Sequence, residues 1–141
     1  MFAARILKVA IALAILITAW TPEPLAAEDV QIATDLRITV WPDGRYRSTP
    51  PVRYTLRCFP PAGRHPRPQR ACAALSRMTD PFAPDPPGTG CFAMYLSTRG
   101  APVVGFHAGR KVWVSLHLGN GCGIERWRKL KVVVPGYPAK D

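Results

Sequence analysis

Val52-Arg53-Tyr54-Thr55-Leu56-Arg57-Cys58 alternates between residues suited to a core and residues suited to water. Val52, Tyr54, Leu56 and Cys58 fall on one side of a pleated strand and Arg53, Thr55 and Arg57 on the other, so the segment reads as part of a half-buried antiparallel sheet. The same period runs through Leu36-Arg37-Ile38-Thr39-Val40-Trp41 and stops at Pro42-Asp43-Gly44, a turn signal, before Arg45-Tyr46-Arg47. Past Cys58, residues 59–68 hold Pro60, Pro61, Pro66 and Pro68, which withhold amide donors and fix the backbone, so a rigid loop follows. Residues 69–78 contain Ala71, Ala73, Ala74 and Leu75 with no breaker, and Pro68 suits a first helical position; a short helix is expected. Residues 80–90, with Pro81, Pro84, Pro86, Pro87, Gly88 and Gly90, show no periodicity and read as an exposed loop leading into Cys91. Residues 102–107, 111–118 and 130–134 then read as strands, and 135–141 as a loose tail. The class is α+β, with about five strands and one or two short helices and no internal repeat.

At 141 residues the chain holds one domain at most. Residues 1–27 read as a secretory signal peptide: Arg5 and Lys8 precede an uncharged run over 9–20, and Leu25-Ala26-Ala27 ends on small residues. The run is shorter than the roughly 20 residues needed to span a bilayer core, so no membrane anchor is expected after cleavage. Cleavage after Ala27, within a residue or two, leaves residues 28–141 as the mature domain. Removal of Arg5, Lys8 and Glu23 lowers the net charge of +10 by one. The expected location is outside the cytoplasm, extracellular or periplasmic.

Export decides how the cysteines are read. An even number in a small secreted domain implies a disulfide framework, and Cys58, Cys72, Cys91 and Cys122 allow three pairings. Zinc would need close pairs of the Cys-x-x-Cys kind, which are absent, so no metal or other cofactor is expected. The inventory for catalysis is equally thin. His65, His107 and His117 read as hydrogen-bonding, packed or edge residues, and neither Gly-x-Ser-x-Gly nor His-Glu-x-x-His occurs. Trp41, Trp113 and Trp127 stand in or near strand-like runs and read as packing residues, each also suited to an interface. Basic residues cluster at Arg64, Arg67 and Arg70, at Arg110 and Lys111, and at Arg126, Arg128, Lys129 and Lys131, without a nucleic-acid motif. They read as solvated faces, with nucleic acid not expected as a partner. The rival reading is a cationic module for polyanions or cell-envelope surfaces, using Arg126 to Lys131.

The informative constellation is the proline- and glycine-rich loop that ends at Cys91-Phe92-Ala93-Met94-Tyr95. An exposed peptide stiffened by a disulfide loses little entropy on docking, which is what a substrate-mimicking protease inhibitor requires.

With that constellation the chain resembles the Streptomyces subtilisin inhibitor-like proteins. The resemblance rests on Tyr54-Thr55-Leu56-Arg57-Cys58, Gly63-Arg64-His65-Pro66, Ala71-Cys72-Ala73-Ala74-Leu75, the Cys91 to Tyr95 segment, Gly105, Gly109-Arg110-Lys111-Val112 and Asn120-Gly121-Cys122, in order and in spacing. It implies a five-stranded antiparallel sheet with two short helices, disulfides Cys58–Cys72 and Cys91–Cys122, and the homodimer of the best-known members. It also implies a secreted, tight-binding and reversible inhibitor of serine proteases rather than an enzyme. Its reactive bond is then Ala93–Met94, its protease-contacting residues Gly90, Cys91, Phe92 and Tyr95, and Asn120 supports the loop. Phe92 stands where the family often has proline and Gly90 where it has a bulky apolar residue. Ala93 offers only a methyl group, which suits a subtilisin-like or small elastase-like pocket. A one-residue shift of the loop would put Met94 in that place, and an inactive descendant keeping the scaffold is a further alternative.

Overall fold

The computed structural model describes residues 33–45 and 49–138. The expected signal peptide lies outside the described residues, as do 46–48 and 139–141. Four strands form one antiparallel sheet: β1 (Thr34–Val40), β2 (Val52–Cys58), β3 (Gly100–His107) and β4 (Arg110–His117), in the order β2-β1-β3-β4. The pairing of Leu36 with both Leu56 and Gly105 fixes the register across β2, β1 and β3. That register sends Leu36, Ile38, Val40, Leu56, Ala101, Val103, Val112 and Leu116 to one face, where all are buried. A slip of one residue would expose the whole set, so the alternation first seen in β2 and β1 is also what holds the strands in line.

Two helices cover that face. Helix α1 (Pro68–Ser76) begins on its proline, as the sequence suggests, and contributes buried Ala71 and Leu75. It stops two residues short of the expected end: Arg77 and Met78 donate to the carbonyls of Ala74 and Leu75, bonds that tighten the last turn. Helix α2 (Gly121–Leu130) buries Ile124, Trp127 and Leu130. Residues 130–134 are not the strand expected for them. Val133 and Val134 both donate to the Leu130 carbonyl, at 2.8 and 2.7 Å, in a turn that closes α2 and buries both valines beside Trp127. The apolar run continues the helix's buried stripe instead of opening a new sheet edge. Among the described residues no fifth strand occurs.

Of the terminal segment, Gly136 accepts from Arg99 Nη1 at 2.8 Å, and the Tyr137 ring packs edge-on to Trp127 with centroids 6.5 Å apart. Trp127 is fully buried and donates its indole N–H to Val134 O at 3.0 Å, so its polar tip is satisfied as burial requires. Trp113 behaves oppositely: it is 90% exposed on the outer face of β4, so it is not the packed residue its strand position suggested.

Two histidines are built into the core. The His65 Nδ1 accepts from the Arg67 amide at 3.1 Å, so Nε2 carries the proton and donates to Val133 O at 3.0 Å. Burial holds its pKa below the ordinary value, outweighing the opposing pull of the Val133 carbonyl. His107 is bonded through Nδ1 to Thr34 Oγ1 at 2.9 Å, and burial lowers its pKa too, against the Asp80 carboxylate. Unfolding frees both rings to bind protons near their normal pKa of about 6.5, so below that pH the unfolded chain holds more protons than the folded one. Stability is therefore expected to be full above about pH 6.5 and to fall as pH drops through and below it. Denaturation midpoints measured from pH 8 to pH 5 check this, and His65→Gln is expected to flatten the slope.

Candidate functional site

The Cys91–Cys122 bridge ties the loop ahead of β3 to the first turn of α2, and Cys58–Cys72 ties β2 to α1; there is no free cysteine among the described residues. From Cys91 to Leu96 the chain belongs to no strand or helix, and every one of these side chains is exposed. Phe92 is 81% exposed, Met94 54% and Tyr95 64%. Large apolar side chains left in water in a row on a single loop mark an interaction surface rather than a packing fault.

The backbone of this segment is nonetheless held at both ends. The Phe92 carbonyl accepts from the Gly121 amide at 2.9 Å and from the Met94 amide at 2.8 Å, which places Ala93 at the centre of a three-residue turn. Downstream, the Leu96 amide donates to Leu118 O at 2.9 Å, joining the segment to the end of β4. Farther on, Thr98 Oγ1 donates to Asp43 O, Arg99 Nε to Pro42 O, and Trp41 and Gly100 exchange backbone bonds. A stiff surface peptide therefore spans from the bridge at Cys91 to the start of β3, with Ala93 and Met94 exposed near its middle.

Asn120 sits beside this anchor. Its side-chain oxygen accepts from the Gly123 amide at 2.9 Å, capping α2. The direct bond to the loop comes from its neighbour, the Gly121 backbone. Gly123 lies against the end of β4, where an added Cβ would stand 2.6 Å from both Nδ1 and O of His117. Arg99 did not stand out in the sequence, and Gly121 appeared there only as part of Asn120-Gly121-Cys122, with no role of its own. Arg99 is a single arginine in a small polar stretch, and Gly121 acts through its amide, which every residue except proline possesses.

The cationic cluster on α2 is partly neutralised within the domain. Arg126 pairs with Asp85 at 3.2 Å and Arg128 with Glu125 at 2.8 Å, and Lys129 lies 3.9 Å from the same carboxylate. The bond from Arg128 holds the Glu125 carboxyl below its usual pKa. Among the described residues, no group of three His, Cys, Asp or Glu side chains is placed to hold a metal ion, and no helix is long and apolar enough to cross a membrane.

The domain is thus a small sheet-and-helix scaffold that displays an exposed peptide tied down by a disulfide. The family model described as subtilisin inhibitor-like matches residues 32–120, and the chain belongs to that family, whose members are protease inhibitors and not enzymes. Among solved structures the chain is similar to sermetstatin of Streptomyces caespitosus, determined in complex with subtilisin of Bacillus licheniformis. The identity is 23%, over 74% of this chain and 98% of that one, with a TM-score of 0.47. Comparison with curated protein sequences gives no match. Family membership and the two disulfides both fit an extracellular protein.

Proposed function

We propose that this protein is a secreted, substrate-like inhibitor of serine endopeptidases that binds tightly and reversibly through the Ala93–Met94 bond. The observation that carries the reading is the exposed Phe92 to Leu96 segment, anchored by Gly121 on one side of the bond and by Leu118 on the other. In the complex, Gly90 to Tyr95 occupies the protease cleft. The Ala93 methyl enters a small primary pocket, and the Ala93 carbonyl faces the oxyanion hole. On attack the Ala93 carbonyl carbon bonds to the protease serine oxygen as the C–N bond to Met94 breaks, and the Met94 nitrogen leaves as an amine with the proton handed on by the protease histidine. Both new ends stay tied to the scaffold, Ala93 through Phe92 and the Cys91–Cys122 bridge, Met94 through Leu96, so the amine remains close to the acyl carbon and resealing competes with hydrolysis. Slow dissociation follows from the rigidity of the segment.

Titration against subtilisin, an elastase-type and a trypsin-type protease tests the reading, with mass spectrometry of the incubated inhibitor. Inhibition of the first or second, with one reversible cut after Ala93, is expected; failure to inhibit any of the three sinks it. The rival cationic module predicts binding to a polyanion that falls steeply with salt and survives cutting at Ala93.

The homodimer that the resemblance implies is also part of this proposal. Its support is the outer face of the sheet, where Trp113 sits opposite Val104 in the register and Phe106 lies two residues along on the same face, all three exposed. Arg37, paired with Val104, and Lys111, paired with Phe106, place like charges on the same face, so salt is expected to tighten the dimer. Sedimentation equilibrium is expected to show a dimer that Trp113→Glu turns into a monomer with inhibition retained. A wild-type monomer at every salt concentration rejects it.

A further inference from the structure

We infer that Gly121 positions the reactive bond through Phe92, its missing side chain letting α2 close on the segment and its amide fixing the carbonyl to which the Met94 amide is bound. The inference rests on the inhibitor reading and adds to it a residue outside the segment. The Phe92 carbonyl is shared between two donors, the Gly121 amide at 2.9 Å and the Met94 amide at 2.8 Å. Met94 N is the nitrogen of the proposed reactive bond, so the atom that must stay in place for resealing is linked to the helix by two hydrogen bonds through one oxygen. Cys122, the next residue, bridges to Cys91, the residue before Phe92, so two adjacent residues of α2 grip two adjacent residues of the segment. A side chain at position 121 would enter that grip. Its Cβ would lie 3.1 Å from Phe92 Cβ and 3.4 Å from both Phe92 N and O. The nearest atoms it meets all belong to Phe92, and none belongs to the core. The bridge would still hold Cys91, so the expected consequence is a shift of Phe92 by a few tenths of an ångström rather than release of the segment.

Inhibition should therefore fall without a loss of stability. Glycine is the poorer helix former, and Gly121 does not have the positive φ that would demand it, so Gly121→Ala is expected to keep or raise the melting temperature. A displacement of 1 Å in a reacting geometry costs about a hundredfold. The smaller shift here is expected to raise the inhibition constant towards subtilisin about tenfold and to move the equilibrium between intact and cut inhibitor towards the cut form. In a Phe92→Gly background the Cβ that the new methyl meets most closely is gone, and Gly121→Ala is then expected to change the inhibition constant by less than about twofold. The experiment measures melting temperature, inhibition constant and cut-to-intact ratio for wild type, both single variants and the double variant. A wild type that inhibits beside a Gly121→Ala variant that inhibits equally well overturns the inference alone. Equal losses in both backgrounds overturn it too, as does a fall in melting temperature, which would put the added methyl against the core. A wild type that inhibits nothing overturns the underlying reading instead.

Discussion

Replacing Cys91 and Cys122 together by serine is expected to convert the inhibitor into an ordinary substrate. The bridge closes a loop with a sequence separation of 31, and by chain entropy its loss costs about 3.7 kcal/mol. That is a large part of the roughly 5–15 kcal/mol available to a small domain, so the melting temperature should fall markedly while a folded population remains. The loss of function should exceed what unfolding explains. Without the bridge, Gly90, Cys91 and Phe92 regain backbone freedom that must be surrendered on docking, at about 1 kcal/mol or more for each residue. Affinity of the folded fraction should thus drop about a hundredfold or more. Cleavage after Ala93 should become fast and irreversible, because the acyl end is no longer held near Met94. The matched control is Cys58→Ser with Cys72→Ser. Its bridge has a separation of 14 and costs about 3 kcal/mol by the same estimate, but it joins β2 to α1, away from the segment. Comparable destabilisation with unchanged inhibition by the folded protein is expected there. Denaturant melts set beside inhibition constants and cleavage rates separate the two effects, and equal inhibition by both double variants would show that the bridge at Cys91 has no special part in function.

The parts of the fold that were legible in the sequence are those where one periodicity dominates. Residues 52–58 alternate so regularly that strand β2 ends where the pattern ends, and Pro68 marks the start of α1 because a helix's first residue has no use for an amide donor. Helix α2 was hidden by its own first turn. Gly121 and Gly123 look like turn residues, yet each faces a close neighbour, with Phe92 3.1 Å from where a Cβ would stand in one case and His117 2.4 Å in the other. The apolar run at 132–134 then suggested a strand, since a short apolar run has no period that separates strand from helix end. Ile124, Trp127 and Leu130 are spaced for one helical face and were the signal available. In the candidate site, exposure of the loop was readable from prolines and glycines and its clamping from the cysteines. What holds its interior was not, because amides such as Gly121 N–H and carbonyls such as Leu118 O have no side-chain signature. Trp113 shows the same limit. Alternation puts it on the face opposite Val112, but which face is covered depends on where the helices pack.

Changing Ala93 to lysine is expected to redirect the inhibitor to trypsin-type proteases. Such proteases carry an acidic group at the bottom of the primary pocket, and a methyl group leaves it unpaired and the pocket largely unfilled. A lysine at this position supplies a long apolar stem and a charge that pairs at the far end. A charged pair of that kind, together with the buried stem, is worth several kcal/mol, so the gain against trypsin should be about a thousandfold or more. The gain needs no rearrangement of the inhibitor. Ala93 is exposed, and the bonds that set the segment's shape run through the backbone of Phe92, Met94 and Leu96, which the substitution leaves intact. Folding stability should accordingly stay within about 0.5 kcal/mol of wild type, as for an ordinary surface change. Inhibition of an elastase-type protease should be lost, because its small pocket rejects a long cation. Met94→Lys is the decisive companion. If it, and not Ala93→Lys, acquires trypsin inhibition, the specificity residue lies one position along and the reactive bond is Met94–Tyr95. If neither variant does, the segment is not read by the protease as a substrate, and the stiffness built around Phe92 serves some contact other than a primary pocket.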